Sequence, residues 1–234
     1  MAKGSTEKIV LLTGAGVSAE SGLGTFRDEG GLWAQHRIED VATPEGFARD
    51  PDLVHGFYNA RRAQAAAAQP NAAHQTLARL QAQHPGEVVI ITQNVDDLHE
   101  KAGSTGVIHM HGSLSGALCA ACSHRWQAPL EMHPTDPCPR CSAPATRPDI
   151  VWFGEIPHAM QGIEAHLAEA DLFVAIGTSA QVYPAANFVE AANNHSAETL
   201  EFNLEPSAMA SLFGQCRFGP ASQTVPAWVA ELIG

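Results

Sequence analysis

The sequence predicts an α/β fold built on a doubly wound parallel sheet, interrupted by a cysteine-bearing insert. Three observations carry this. Short runs of Val, Ile and Leu recur along the chain, apolar on both faces, as strands buried on both sides of a parallel sheet are. Segments with helical spacing lie between several of them, and alternating strands and helices build a doubly wound sheet. Residues 119–148 break the alternation: they are rich in Cys and Pro, poor in periodicity, and read as an inserted loop module.

The first strand is Ile9 to Leu12, closed by Thr13 and followed at once by Gly14-Ala15-Gly16. Glycines there let the backbone turn sharply and admit a ligand without a Cβ in the way. The N–H groups of such a turn and its following helix converge on one spot, which suits a pyrophosphate. A tight strand-to-helix turn with no ligand reads from the same residues. After Trp33 comes a polar stretch broken by Pro and Gly. The spacing then predicts a helix over Pro51–Ala68 and another over Asn71–Gln83, where Leu77 and Leu80 give the apolar spacing and His84-Pro85-Gly86 the stop. Further strands are expected at Val88–Thr92, Val107–Met110, Ile150–Phe153, Leu172–Gly177 and Thr199–Leu204, with helices at Gly162–Ala170 and Ala185–Ala192.

The tails of these strands point to a ligand. They are Thr13 to Gly16, Thr92-Gln93-Asn94-Val95-Asp96, His109-Met110-His111-Gly112, Phe153-Gly154-Glu155, Gly177-Thr178-Ser179 and Asn203-Leu204-Glu205. Open α/β sheets bind ligands at the carboxyl ends of their strands, and these ends concentrate Gly, Asn, Asp, Glu and His. Together they predict one long crevice for a large polar ligand. The glycine loop departs from the dehydrogenase fingerprint. It reads Gly14-x-Gly16 and then Gly22, and no second strand ends in an acidic residue ~20 positions on. Glu39 and Asp40 follow no apolar run, so Glu205 is the better candidate to grip a ribose. This pattern argues against simple hydride transfer.

Composition narrows the partners. The 234-residue chain is long enough for one sizeable domain with an insert, and 13 Lys+Arg against 25 Asp+Glu leave a net charge of −12. Such a charge repels nucleic acid and anionic membranes, so neither is expected as a partner. The first eight residues lack the apolar core of a signal peptide, and no run reaches the ~20 apolar residues of a membrane span. A cytoplasmic protein is expected, with a monomer favoured.

Four of the five cysteines form two Cys-x-x-Cys pairs, Cys119/Cys122 and Cys138/Cys141, separated by 15 residues. Two such knuckles complete a tetrahedral four-sulfur zinc site with no open position, hence a structural one. Free cysteines or a redox pair are the alternative, and His124 and His133 are nearby substitute ligands. Cys216, without a ligand partner, reads as an inert thiol. His111 is the candidate general base, because a neutral imidazole accepts a proton near neutral pH and it sits at a strand end beside the tail of Asn94 and Asp96. Structural roles are the default among 12 histidines. Tyr58 and Arg61 stand at i and i+3 and share a face if helical. They form either a solvated face or a clamp for a carboxylate.

Over nearly its whole length the sequence resembles the sirtuins, NAD-dependent protein lysine deacylases. The resemblance rests on Gly14-Ala-Gly-Val-Ser-Ala-Glu-Ser-Gly22, Thr25-Phe-Arg27, Thr92-Gln-Asn-Val-Asp-Asp-Leu-His99, His109-Met-His-Gly112, the four cysteines, Gly177-Thr-Ser179 and Asn203-Leu-Glu205. It implies a Rossmann-like NAD-binding domain from residues 1–34, 87–118 and 149–234, with a small domain made of a helical module, 35–86, and a zinc-ribbon module, 119–148. NAD would be a consumed co-substrate, lined by Gly14, Ala15, Gly16, Ser18, Glu20, Thr25, Phe26, Arg27, Trp33, Gln93, Asn94, Asp96, Gly177, Thr178, Ser179, Asn203, Leu204, Glu205 and Ala221. His111 would be the catalytic base, with Asn94 and Asp96 orienting the nicotinamide end. Acylated-lysine proteins or peptides would be the partners. Val151 and Phe153-Gly154-Glu155 would contact the substrate, the latter as an added strand. Tyr58 and Arg61 match the Tyr-x-x-Arg of the branch that prefers succinyl and malonyl groups, as does the stretch Arg147 to Glu155, and acetyl removal would accompany these. Products would be free lysine, nicotinamide and O-acyl-ADP-ribose. Gly24 stands where the family usually has Pro or a larger residue, which removes no chemical group. Residues 14–33 are expected to form a mobile flap over the NAD. Two other functions fit the same residues: a mono-ADP-ribosyltransferase using the same pocket, and a non-catalytic NAD-binding zinc module.

Overall fold

The computed structural model describes residues 7–24 and 35–233. Thr25, Phe26, Arg27 and Trp33, and with them the far part of the expected flap, lie outside the described residues. The chain opens with β1 (Lys8–Thr13) and a five-residue helix α1 (Ala15–Ala19). Four helices follow: α2 (Ile38–Val41), α3 (Pro44–Arg49), α4 (Pro51–Ala67) and α5 (Ala72–Gln83). Their starts are written in the sequence. Thr43, Asp50 and Asn71 each accept a backbone N–H from the first turn, at 3.0, 2.9 and 2.9 Å, and Pro44 and Pro51 occupy the first helical position.

Next come β2 (Glu87–Thr92), α6 (Leu98–Lys101) and β3 (Ile108–His109). The middle of the chain then forms β4 (Gly112–Cys119), β5 (Arg125–Gln127) and β6 (Thr146–Ile150). It closes with α7 (Met160–Ala168), β7 (Leu172–Ile176), α8 (Phe188–Asn194), β8 (Glu198–Asn203), β9 (Gln215–Phe218) and α9 (Ala221–Ile233).

Six strands make one parallel sheet in the order β3-β2-β1-β7-β8-β9. The order reverses at β1/β7, and there Thr13 stands level with both Thr92 and Ile176. Alternation along each strand feeds two cores. Ile9, Leu11, Ile90, Val174 and Phe202 pack with Leu77 and Leu80 of α5 and Trp228 of α9. Val10, Leu12, Ile91 and Phe173 pack on the other face with Ile163 and Leu167 of α7 and Phe188 of α8. Burial of both faces is why these strands read as unbroken apolar runs.

The second sheet is antiparallel, β5-β4-β6. Here the expected strand Ile150–Phe153 is displaced: β6 ends at Ile150, and it pairs with β4 rather than joining the parallel sheet. Pro148, which lacks an N–H, sits on this edge strand opposite Ala117, where proline is tolerated. The apolarity of residues 150–152 serves a third core instead, in which Ile150 and Trp152 pack with Val54, Phe57, Tyr58 and Leu114. The expected helix at Ala185–Ala192 is a 3₁₀ turn over Ala185–Asn187 leading into α8.

Beneath the β1/β2 ends lies a pair of fully buried histidines, His74 of α5 and His99 of α6, with ring centroids 5.0 Å apart. Burial pushes His74 down to about 4 and His99 to about 3. Both titrate near ~6.5 in the unfolded chain, so below that value the unfolded state binds more protons than the folded one. Stability is therefore expected to fall as pH drops from 6.5 to 5, by ~1.4 kcal/mol per pH unit for each histidine once its unfolded form is charged. His55 and His111, also lowered by burial, act in the same direction. Urea unfolding at pH 7.0, 6.0 and 5.0 measures this; a flat profile would contradict it.

Candidate active site

At the carboxyl ends of the parallel strands a crevice of about 920 Å³ opens over the switch point, within the range of sites that enclose a large ligand. The Gly14–Gly16 turn and Gly177 meet at its floor. Gly14 N donates to Ile176 O at 3.0 Å and Gly16 N to Gly177 O at 2.8 Å. A Cβ on Gly16 would lie 2.7 Å from Gly177 Cα, and Gly177 has φ +63°. These glycines are thus needed for two backbone turns to touch, a requirement that no local spacing announces.

The next tail builds a polar network. Asn94 Nδ2 donates to Gly14 O and lies within bonding distance of Ser18 Oγ, both at 3.1 Å. Ser18 Oγ donates to Asp96 Oδ2 at 3.1 Å, and Leu98 N donates to Asp96 Oδ1 at 3.1 Å. Burial pushes the Asp96 carboxyl above its ordinary range, against those two donors. Gln93 Nε2 donates to Thr178 Oγ1 at 2.9 Å and Asn203 Nδ2 to Thr178 O at 2.8 Å, tying three strand ends together.

His111 enters between β3 and β4. Gly112, next to it, has φ +82°, and a Cβ there would lie 2.1 Å from Asp149 O, so the chain can cross into β4 only with glycine. His111 Nδ1 lies 3.1 Å from Gln93 O. A carbonyl only accepts, so Nδ1 carries the proton and Nε2 is left with a lone pair. Burial lowers the pKa of His111, with the Gln93 carbonyl opposing. The ring is held neutral near pH 7, with one proton-accepting nitrogen at the crevice. Its neighbour His109 bridges Asn94 O at 3.2 Å and the Glu100 carboxylate at 2.8 Å, and the latter raises its pKa.

The opposite wall carries Tyr58 and Arg61 of α4 and residues 150–155. The open choice for the first two resolves against a solvated face. Tyr58 is buried and Arg61 half-buried, and both line the crevice. Burial raises the Tyr58 pKa and lowers that of Arg61, the latter opposed by Tyr58 and Asp96. Residues 152–155 form a turn, with Glu155 N donating to Trp152 O at 2.9 Å and Gly154 at φ +91°. Phe153 N donates to Ala42 O and Val151 N to His111 O. Glu155, expected to meet substrate, spends its carboxylate on Arg147.

The crevice therefore gathers Gly14, Ala15, Gly16, Ser18, Gln93, Asn94, Asp96, His111, Gly177, Thr178, Ser179, Asn203, Leu204 and Glu205 with Tyr58, Arg61, Val151, Phe153, Gly154 and Glu155. Glu20 and Ala221 are not among its lining residues: the Glu20 carboxylate accepts from Ser222 N and Oγ at 2.9 and 2.6 Å, at the start of α9. Gln181, Val182 and Tyr183 line it and were missed, although they directly follow the Gly177-Thr-Ser179 motif. With about 920 Å³ of space and polar groups brought in from several strand ends, the crevice has room for a nucleotide.

At the far end of β4 the four cysteine sulfurs lie within 4.8 Å of one another. Cys119–Cys141 and Cys122–Cys138 are each 3.7 Å apart, against ~3.8 Å for the edge of a tetrahedron with Zn–S bonds of ~2.3 Å. Ser123 and Ser142, each four residues after the first cysteine of its pair, both take positive φ. The two knuckles are thus built alike and are positioned to hold one zinc ion. His124 stacks on Trp126 at 5.8 Å and stays out of the cluster, as does His133. The lone thiol, Cys216, is pushed up by burial and by Glu201, consistent with inertness. Removal of the zinc by a strong chelator is expected to lower the melting temperature. Even a third of the ~10–16 kcal/mol seen for structural zinc in small modules, about 4 kcal/mol, amounts to ~8–16 °C. Metal content of one zinc per chain, then a melt after chelation, checks this; an unchanged melt would contradict it.

A family model described as Sir2 family matches residues 14–184. The chain is 54% identical over 230 residues to an "NAD-dependent protein deacylase" of Caulobacter vibrioides, covering 97% of each chain. It is 52% identical over 229 residues to a protein of the same name from Escherichia coli strain K12, covering 97% of this chain and 82% of that one. Among solved structures, a Sir2 homologue in complex with NAD superposes with a TM-score of 0.90 at 37% identity, over 97% of this chain and 90% of that one.

Proposed function

The chain belongs to the Sir2 family and is an NAD-dependent protein deacylase, and from that premise we propose that its favoured substrates are lysines carrying acidic acyl groups, succinyl and malonyl, with acetyl a lesser substrate. One observation carries the proposal: an arginine and a tyrosine one helical turn apart, both withdrawn from bulk solvent, line the crevice that holds His111. An acyl group ending in a carboxylate offers this pair a charge-assisted, two-donor grip. A methyl end offers it nothing, while a half-buried guanidinium costs desolvation.

NAD, when bound, supplies an electrophilic ribose carbon whose leaving group is nicotinamide. The glycine floor, Gln93, Ser179, Asn203 and Glu205 are the residues to hold it, and their fit rests on the crevice at the strand ends. Asn94 and Asp96, locked through Ser18, present fixed polar groups at the reacting end, with no reorganisation needed. His111 takes up a proton at Nε2 and passes it on, its tautomer set by Gln93 O. The peptide backbone would lie across the mouth near Phe153, which is exposed.

The test is nicotinamide release with a matched panel of acetyl-, malonyl- and succinyl-lysine peptides. The proposal expects higher kcat/KM for the two acidic groups, through lower KM. A higher value for acetyl would overturn it.

A further inference from the structure

The Tyr58 hydroxyl ends a chain of contacts that the reaction does not otherwise use. Glu155 grips Arg147 with both carboxylate oxygens, at 2.8 and 2.9 Å, and also accepts the Trp152 backbone N–H at 2.9 Å. Arg147 lies over the Trp152 ring, Cζ 3.6 Å from the centroid, and donates to Ile150 O at 2.9 Å. Phe47 packs against the same ring, centroids 5.1 Å apart. So fixed, the indole is 2% exposed, and its Nε1 donates to the Tyr58 hydroxyl at 3.1 Å.

An indole N–H can only donate, and so can a guanidinium. The Arg61 guanidinium lies beside the same residue, its Cζ 5.8 Å from the Tyr58 ring centroid. The Tyr58 oxygen therefore accepts from the indole, and its own hydrogen points away from Trp152, toward a group that accepts. Without the indole N–H the hydroxyl regains a lone pair and rotates freely. We infer that Trp152 is a specificity-determining positioning residue: its indole N–H sets the Tyr58 hydroxyl so that Tyr58 and Arg61 offer their donors together to the acyl carboxylate. The Glu155–Arg147 pair is the brace behind it. The inference rests on the acidic-acyl reading and adds the residues that make the clamp directional.

The test is a double-mutant cycle. Wild type, Trp152→Phe, Tyr58→Phe and the double variant are assayed for nicotinamide release on succinyl- and acetyl-lysine peptides, with kcat and KM separated and melts recorded. Phe keeps a ring for Arg147 and removes the donor together with one ring of buried volume, which the melts and the acetyl-lysine control account for. Trp152→Phe is expected to raise KM for succinyl-lysine about tenfold, the scale of one hydrogen bond. The rise for acetyl-lysine is at most about twofold, and in the Tyr58→Phe background Trp152→Phe adds no further loss on succinyl-lysine. Equal KM changes on both peptides, or a full additional loss in the Tyr58→Phe background, would overturn the inference. If Trp152→Phe melts too low to assay, Arg147→Lys loosens the brace, giving up the bidentate grip on Glu155, while keeping the indole. It is expected to give the same selective KM rise, and a non-selective one would count equally against the idea. A wild type without succinyl preference sinks the acidic-acyl reading itself; a preference that survives Trp152→Phe sinks only the role of Trp152.

Discussion

His111→Ala is expected to lower deacylation of every acyl-lysine peptide by about 100- to 10,000-fold, the range for a positioned general base. The reason is geometric. Nδ1 is committed to Gln93 O, which leaves Nε2 as the acceptor at the crevice. Burial lowers its pKa, so the imidazole stays neutral at and somewhat below pH 6.5. Activity is therefore lost as pH falls through the lowered value, and the acid limb of kcat/KM lies below the ordinary histidine pKa. Steady-state rates across pH 5–8 measure both features. The change removes one partly buried hydrogen bond, worth ~1 kcal/mol, so the melt is expected to move by only ~2–4 °C. A variant that retains wild-type rates would remove His111 from the reaction.

Arg61→Met is expected to reduce kcat/KM on succinyl-lysine by about 10- to 150-fold, from the ~1.5–3 kcal/mol of hydrogen bonds to a charged group. On acetyl-lysine the loss is expected to stay within about threefold. Met keeps much of the aliphatic stem and discards the guanidinium, whose Cζ lies 5.8 Å from both the Phe57 and Tyr58 ring centroids. Arg61 also interacts electrostatically with Asp96. Equal losses on both peptides would therefore trace its role to the reacting end and end the clamp reading.

The sequence was most legible where both faces of an element are buried. Strands β1, β2, β7 and β8 are runs such as Ile9-Val-Leu-Leu12 and Leu172-Phe-Val-Ala-Ile176, because two cores claim alternate residues. It was least legible at edges. Strand β9, Gln215-Cys-Arg-Phe218, closes one side of the sheet with partly exposed residues and carries no apolar run. Strand β4, with Gly112, Ser113, Ser115 and Gly116, is built from small residues that propensity assigns to turns. The misplaced strand at Ile150–Phe153 shows that apolarity reports burial and not the element that delivers it.

The site divides in the same way. Strand-end tails and cysteine spacing are local signals, and they brought His111, Asn94, Asp96 and the zinc ligands into view. The pairing of Arg147 with Glu155, the hold of Trp152 on Tyr58 and the bond of Glu20 to Ser222 arise from tertiary approach. No spacing in the chain announces them. The roles of Gly14, Gly16 and Gly177 were half legible: the turn was evident, but its close contact with a second turn was not.

The most direct measurement follows one reaction of the enzyme with NAD and a succinyl-lysine peptide, quantifying nicotinamide, freed lysine and the fate of ADP-ribose together. The account predicts one nicotinamide per lysine freed, succinyl-ADP-ribose in solution, and a higher kcat/KM than with the matched acetyl peptide. ADP-ribose left covalently on protein while the lysine stays acylated, or NAD bound with no nicotinamide released, would contradict it.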